Sequence, residues 1–166
     1  MTARSENGIM GEKIVTARLI ERSWLIENAN EVIGPNCPNF DLIATKGEKT
    51  IRIQVKSKKH KEKTTLCGSW ASTSKTFNKK ANFPIAGFLI MVRFDDEGDE
   101  CFVLPIDEAE EMAGWFAGEM AKLGKSPKHF YPYVSPRRRN TIYAFNTREV
   151  WEKYSENWSC LNGPNS

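Results

Sequence analysis

The stretch that most restricts the fold is Phe40–Lys58, where polar and apolar residues alternate on both sides of Lys46-Gly47-Glu48-Lys49. Alternation with a period of two is the mark of a half-buried strand. A glycine inside a short polar link is the mark of a hairpin turn. The spacing predicts strands over Phe40–Thr45 and Thr50–Ser57. If the four linking residues form the turn, Thr45 faces Thr50 and, counting back, Asp41 faces Gln54. Directly opposed residues of an antiparallel pair share a face. Asp41, Arg52, Gln54 and Lys56 are therefore expected on one side. Ile51, Ile53 and Val55, with Phe40, Leu42 and Ala44, are expected on the other, filling the core.

Around this hairpin the chain reads as one α/β domain, with no internal repeat or long low-complexity linker. A helix is predicted from about Gly11 to Arg22, with Val15 and Leu19 on its apolar stripe. Trp24–Ile26 begins a first strand, or else the helix runs on to Asn28. Gly34–Asn39 is a loop. Ile85–Phe94 is a buried strand, and Cys101–Leu104 follows an acidic turn at Gly98. Asp107 with Glu110 reads as a capping pair before a helix bearing Ala109, Met112, Phe116, Met120 and Leu123. Asn146 with Glu149 repeats that signal before a last helix, Thr147–Trp158. The expected architecture is a central mixed β-sheet flanked by helices. Its core spans about residues 9–105, with a C-terminal helical elaboration over about 106–166.

Composition narrows the class. The 166 residues are 40% hydrophobic and 27% charged, as in ordinary globular domains. The longest apolar run, Ile85–Val92, is far short of the ~20 residues that span a membrane. No membrane partner is expected. The N-terminus lacks a secretory core, and Cys37, Cys67, Cys101 and Cys160 have no zinc-knuckle spacing. A cytoplasmic protein with reduced thiols follows. Net charge is only +3, but it is unevenly spread: five lysines crowd residues 56–63, and nine acids with no lysine or arginine occupy residues 95–111. The first region suits a polyanion and the second repels one.

The polar face of the hairpin suits phosphodiester hydrolysis. Asp41 and Gln54 offer hard oxygen donors for magnesium, and such a metal polarises phosphate and acidifies a bound water. Lys56 beside them holds or deprotonates the attacking water and offsets charge growing on the phosphorane. Glu12, on or beside the core-facing stripe of the first helix, is placed to anchor the metal's waters. The plainer alternative is a half-exposed hairpin in which Asp41 pairs with Lys56 or Arg52, a contact worth roughly 0.2–1 kcal/mol.

Gly11-Glu12 in the first helix, Asp41-Leu42-Ile43-Ala44 and Ile51-Arg52-Ile53-Gln54-Val55-Lys56 together resemble the PD-(D/E)XK nuclease superfamily, the fold of restriction enzymes and archaeal Holliday junction resolvases. The resemblance implies a restriction-endonuclease-like core and a magnesium-dependent DNA endonuclease, with manganese able to substitute. It also implies Asp41 and Gln54 as metal ligands, Lys56 as catalytic lysine and Glu12 as auxiliary acid. Two residues depart from the pattern: Phe40 stands where proline is usual, and Gln54 replaces the second acid. The alternative is therefore an inactive nucleic-acid-binding module that keeps the fold.

The lysine run continues past the hairpin. Lys58, Lys59, Lys61, Lys75, Lys79 and Lys80, with Arg137, Arg138 and Arg139, are the candidate contacts to DNA phosphates, duplex or branched. Trp70, Phe77 and Phe83 interleave with them and are candidates for stacking or for the core. Trp151, Tyr154 and Trp158 have helical spacing and read as core or as a dimer interface. A homodimer is expected, since two copies about a two-fold axis cut both strands of a duplex most simply.

Overall fold

The computed structural model describes residues 6–34, 39–59, 86–126 and 151–163. Helix α1 (Glu6–Ile20) leads into strand β1 (Leu25–Asn28), the one-turn helix α2 (Ala29–Val32), and the hairpin β2 (Leu42–Lys46) and β3 (Lys49–Lys59). Strand β4 (Phe88–Phe94), strand β5 (Asp99–Pro105) and helix α3 (Ile106–Lys122) follow. Two short 3-10 turns, Glu152–Tyr154 and Trp158–Asn162, close the described chain. The strands form one mixed sheet in the order β1-β2-β3-β4-β5. Only β3 and β4 run parallel; the other three pairs are antiparallel. The expected mixed sheet flanked by helices is what the chain forms.

Both faces of the sheet are covered. On one, Val15 and Leu19 of α1 pack against Leu42, Ala44, Ile53, Val55, Ile90, Val92 and Val103. On the other, Ala109, Ala113, Phe116 and Met120 of α3 pack against Leu89, Met91, Phe102 and Leu104. This double cover explains why β4 is apolar from Phe88 to Val92, as central strands with parallel neighbours usually are.

The turn arithmetic holds at the hairpin tip: Thr45 opposes Thr50, and Gly47 sits at φ +60°, the left-handed region a two-residue turn requires. It fails at the other end. The Asp41 N–H donates to the Ile53 carbonyl (2.8 Å), although Leu42 is the ladder partner of Ile53. Two residues of the chain thus oppose one on β3, a bulge. The residues before it change face. Phe40 therefore leaves the expected apolar side and packs with Ala29, Ala86 and Ile43, beneath the Arg52 guanidinium.

Other boundaries shift for local reasons. Helix α1 starts at Glu6 rather than Gly11, because residues 6–10, Ile9 and Met10 among them, are largely exposed and carry no buried stripe to mark them. Ile26 lies in β1, not on a longer helix. Asp107 is not a cap: Pro105 takes that position without a side-chain hydrogen bond, and Asp107 lies in the first turn of α3, where an acid suits the helix dipole.

The described part of the predicted final helix, residues 151–158, is not a continuous helix. The chain there wraps around the β5 edge. Trp151 and Tyr154 lie in the core on the α3 side, whereas Trp158 and Leu161 lie in the core on the α1 side. Ser155 bridges to Phe102, and the Glu156 backbone N–H donates to the Cys101 carbonyl (2.8 Å). The Glu156 carboxylate in turn accepts from the Cys101 N–H (2.9 Å) and the Trp158 indole (2.7 Å). Glu156 takes φ +51° to make this turn. Among the described residues no helix is long and apolar enough to cross a membrane.

Candidate active site at the fork of β2 and β3

The ladder between β2 and β3 stops at Leu42 and Ile53, while β3 continues to Lys59 alongside β4. The two strands part there, and Asp41 lies at the point of parting. Asp41 supplies what β2 no longer does: its Oδ2 accepts the Val55 N–H at 2.8 Å. A carboxylate thus replaces a backbone carbonyl and is fixed at the backbone of Val55. Its own carbonyl accepts the Ala29 N–H (2.9 Å), tying the fork to the start of α2. The bulge puts the carboxylate against Val55 rather than straight across from Gln54.

Gln54 and Lys56 share the sheet face opposite Ile53 and Val55, as alternation requires. Gln54 is only 3% exposed, one of two buried polar residues among those described. Lys56 is half-buried.

Glu12 belongs to α1, which packs on the Ile53 and Val55 face of the sheet. Gly11 lies against β3, and a Cβ built on it would fall 2.3 Å from the Ser57 Cβ, so only glycine lets the helix backbone come this near. Ser57 Oγ also donates to the Asn7 carbonyl (2.7 Å), pinning the first turns of α1. The next residue, half-buried Glu12, turns toward β1, where Asn28 Nδ2 donates to its Oε2 at 3.4 Å. The Asn28 Oδ1 accepts the Asn30 N–H (3.0 Å) and caps α2, while its backbone pairs with Leu42, next to Asp41. Asn28 thus contacts Glu12 through its side chain, while the Ala29 N–H that follows it meets the Asp41 carbonyl. A groove of about 640 Å³ opens here, lined by Glu12, Thr16, Asn28, Glu31 and Leu42 among others.

The four candidates divide: Asp41 is held at the Val55 N–H and Glu12 at Asn28 on the α1 side, whereas Gln54 and Lys56 point to the opposite face of the sheet. No group of three or more His, Cys, Asp or Glu placed to hold a metal occurs among the described residues. A hard-cation site here would draw on carboxylate and amide oxygens together, which suits magnesium chemistry in kind.

The proposed nucleic-acid contacts divide. Lys58 and Lys59 end β3 and are exposed, but Lys59 Nζ sits 2.7 Å from Asp96. That hydrogen bond raises the Lys59 pKa and commits the side chain to the acidic turn. Arg18 answers the same turn through Asp99 (2.9 Å). Lys61, Lys75, Lys79, Lys80, Arg137, Arg138 and Arg139 lie outside the described residues, as do Trp70, Phe77 and Phe83.

Asn28, the positioning glycine Gly11 and the Arg52–Phe40 stack had no assigned role in the sequence reading. A glycine inside a predicted helix beside a candidate acid was the available signal for Gly11. Asn28 had none, because its role depends on where β1 ends.

The family profile of the PD-(D/E)XK endonucleases matches residues 3–118, more than two thirds of the chain. The chain belongs to the PD-(D/E)XK endonuclease family. Membership supports nuclease function with a nucleic-acid substrate, and nucleases of this family typically use divalent metals. The matched region contains all four fork residues and extends past the hairpin that carries the resemblance, through β5 and most of α3. Among solved structures the chain is similar to a bacterial homing endonuclease, at 14% identity and TM-score 0.49, covering 93% of this chain and 89% of that one. No curated protein matches it.

Proposed function

We propose that this PD-(D/E)XK family member is a magnesium-dependent endonuclease that hydrolyses phosphodiester bonds in DNA, with manganese able to replace magnesium. The observation that carries the reading is the fork itself: the Asp41 carboxylate held at the Val55 N–H, the residue between Gln54 and Lys56 in β3, with Glu12 hydrogen-bonded to Asn28 at the end of β1. Asp41 and Gln54 would hold the cation. The chemistry a divalent cation supplies when bound there is polarisation of the phosphate and acidification of a water. Lys56 donates hydrogen bonds to the attacking water and offsets negative charge growing on the phosphorane. Glu12 accepts hydrogen bonds from water on the α1 side of the fork. The Val55 N–H keeps Asp41 oriented, so little reorganisation remains when substrate arrives.

A homodimer cutting both strands, and a cytoplasmic location, complete the reading. Its rival is a binding module without catalysis. The glutamine in the second acidic slot favours that rival, since it removes one negative charge from the donor set. Supercoiled plasmid incubated with the protein in magnesium, manganese or EDTA separates the two. Nicking in either metal that stops in EDTA is expected. A mobility shift with no nicking in any condition would establish the binding module instead.

A further inference from the structure

We propose that Arg52 is a phosphate-binding residue of the fork, held over the Phe40 ring to take the DNA phosphate flanking the one at Asp41 and Lys56. This rests on the nuclease reading above. Arg52 is exposed, and its guanidinium carbon lies 5.4 Å from the centroid of Phe40, within cation–π range. Phe40 is itself 4% exposed and packed among Ala29, Ala86 and Ile43, so the ring is a fixed platform. It also immediately precedes Asp41, in the position where the family pattern has proline. The departure from that pattern thus puts an aromatic face beside the candidate ligand.

The other described arginines have acidic partners: Arg18 with Asp99, Arg22 with Glu21 and Arg93 with Glu100. Among the described residues Arg52 has no ion pair; its contact is the ring. Its sheet neighbours are uncharged. Ile43 pairs with it on β2, and just before β4 the Gly87 N–H donates to its carbonyl (2.8 Å), with no side chain to fill the space. Arg52 lies on the same face as Gln54, two residues or about 7 Å along the strand. A nucleic-acid strand crossing the fork therefore passes the guanidinium. Stacking pre-orders a planar fork of donors that matches phosphate oxygens two at a time, which a lysine cannot do. The contact adds affinity without reading sequence.

The test is fluorescence-anisotropy binding of a labelled random-sequence duplex in EDTA, over about 50 to 200 mM salt, by wild type, Arg52→Ala and Arg52→Lys, alongside wild-type plasmid cleavage in magnesium. Loss of one phosphate contact lowers the log–log salt slope by about 0.9. Arg52→Ala is expected to show that drop and roughly tenfold weaker binding at about 100 mM salt. Arg52→Lys, which keeps the charge but not the fork, is expected to keep the slope and bind several-fold more weakly. If wild type binds and cuts while Arg52→Ala keeps the wild-type slope, this inference is overturned and the nuclease reading stands. If wild type neither binds nor cuts, the nuclease reading falls and takes this inference with it.

Discussion

The two ends of the sheet treat acidic side chains in opposite ways. At the β5 edge every acid that matters is tied into the structure. Glu156 satisfies Cys101 and Trp158, Glu100 accepts from Ser155, and Glu108 accepts from Tyr154 and Lys153. The wrap of residues 151–163 around β5 covers an edge that would otherwise present unpaired backbone groups, and Trp151 and Trp158 close it from either face. At the fork, β2 leaves β3 and a carboxylate takes over one backbone acceptor role. The same residue type thus closes one end of the sheet and, at the other, stands where the ladder between β2 and β3 ends. What separates them is whether the strand ladder continues past the acid or stops at it.

That contrast predicts a division between stability and activity. The largest effect belongs to the wrapped edge: Trp151, wholly buried, should cost about 3–5 kcal/mol when cut to alanine. Thermal melting reads the loss, and cleavage per folded molecule should stay at the wild-type level. A fall in activity matching no loss of folded protein would show that the two ends are coupled.

Gly11 lies between the categories. Gly11→Ala forces its Cβ onto Ser57 and should destabilise by about 1–3 kcal/mol while also shifting Glu12 away from the fork. Removing the opposing side chain in a Gly11→Ala, Ser57→Gly double variant should restore much of both. Failure of that rescue would mean the close contact does not set the position of α1.

Asn28 sharpens the contrast further because one side chain performs two tasks. Asn28→Ala loses the α2 cap and the Glu12 contact, at about 1 kcal/mol. Asn28→Ser keeps a cap acceptor, so it should melt near the wild type yet still cut more slowly and bind manganese more weakly, measured by titration calorimetry. Equal manganese affinity in wild type and Asn28→Ser would remove Asn28 from the site.

The smallest effect is a pH dependence at the structural end. The Tyr154 hydroxyl, then Lys153, hold Glu108 below the usual carboxylate range, against the opposing pull of burial. A depressed carboxylate gives stability that is present above its unfolded value of 4.5 and is lost as pH falls through the lower folded value. With the side chain 44% exposed, solvent screening holds this below about 1 kcal/mol. Melting temperatures of Glu108→Gln and wild type should converge as the pH falls below 4.5; a gap that stays constant would assign the effect to packing.

Much of the fork was legible because turn chemistry fixes hairpin register. Gly47 placed Thr45 against Thr50, and alternation then put Gln54 and Lys56 on one face. The bulge at Asp41 was not legible, since it goes with a carboxylate bond to the Val55 N–H, a contact no local pattern encodes. Phe40 moved to the Arg52 side for the same reason. The C-terminal misreading has a different origin: Trp151, Tyr154 and Trp158 have helical spacing, but they fill two cores on opposite faces of β5, and a straight helix cannot reach both. Glu12 was legible as an acid beside the core stripe, whereas its partner Asn28 depended on where β1 meets β2.

The most direct test of the central claim is cleavage of supercoiled plasmid and of a four-way junction, in magnesium or manganese, by wild type and Lys56→Ala. The fork reading predicts metal-dependent cutting by the wild type and a loss of roughly a hundredfold or more in the variant, with an unchanged melting temperature. Equal cutting by both proteins would place the chemistry elsewhere and contradict the assignment of this fork as the active site.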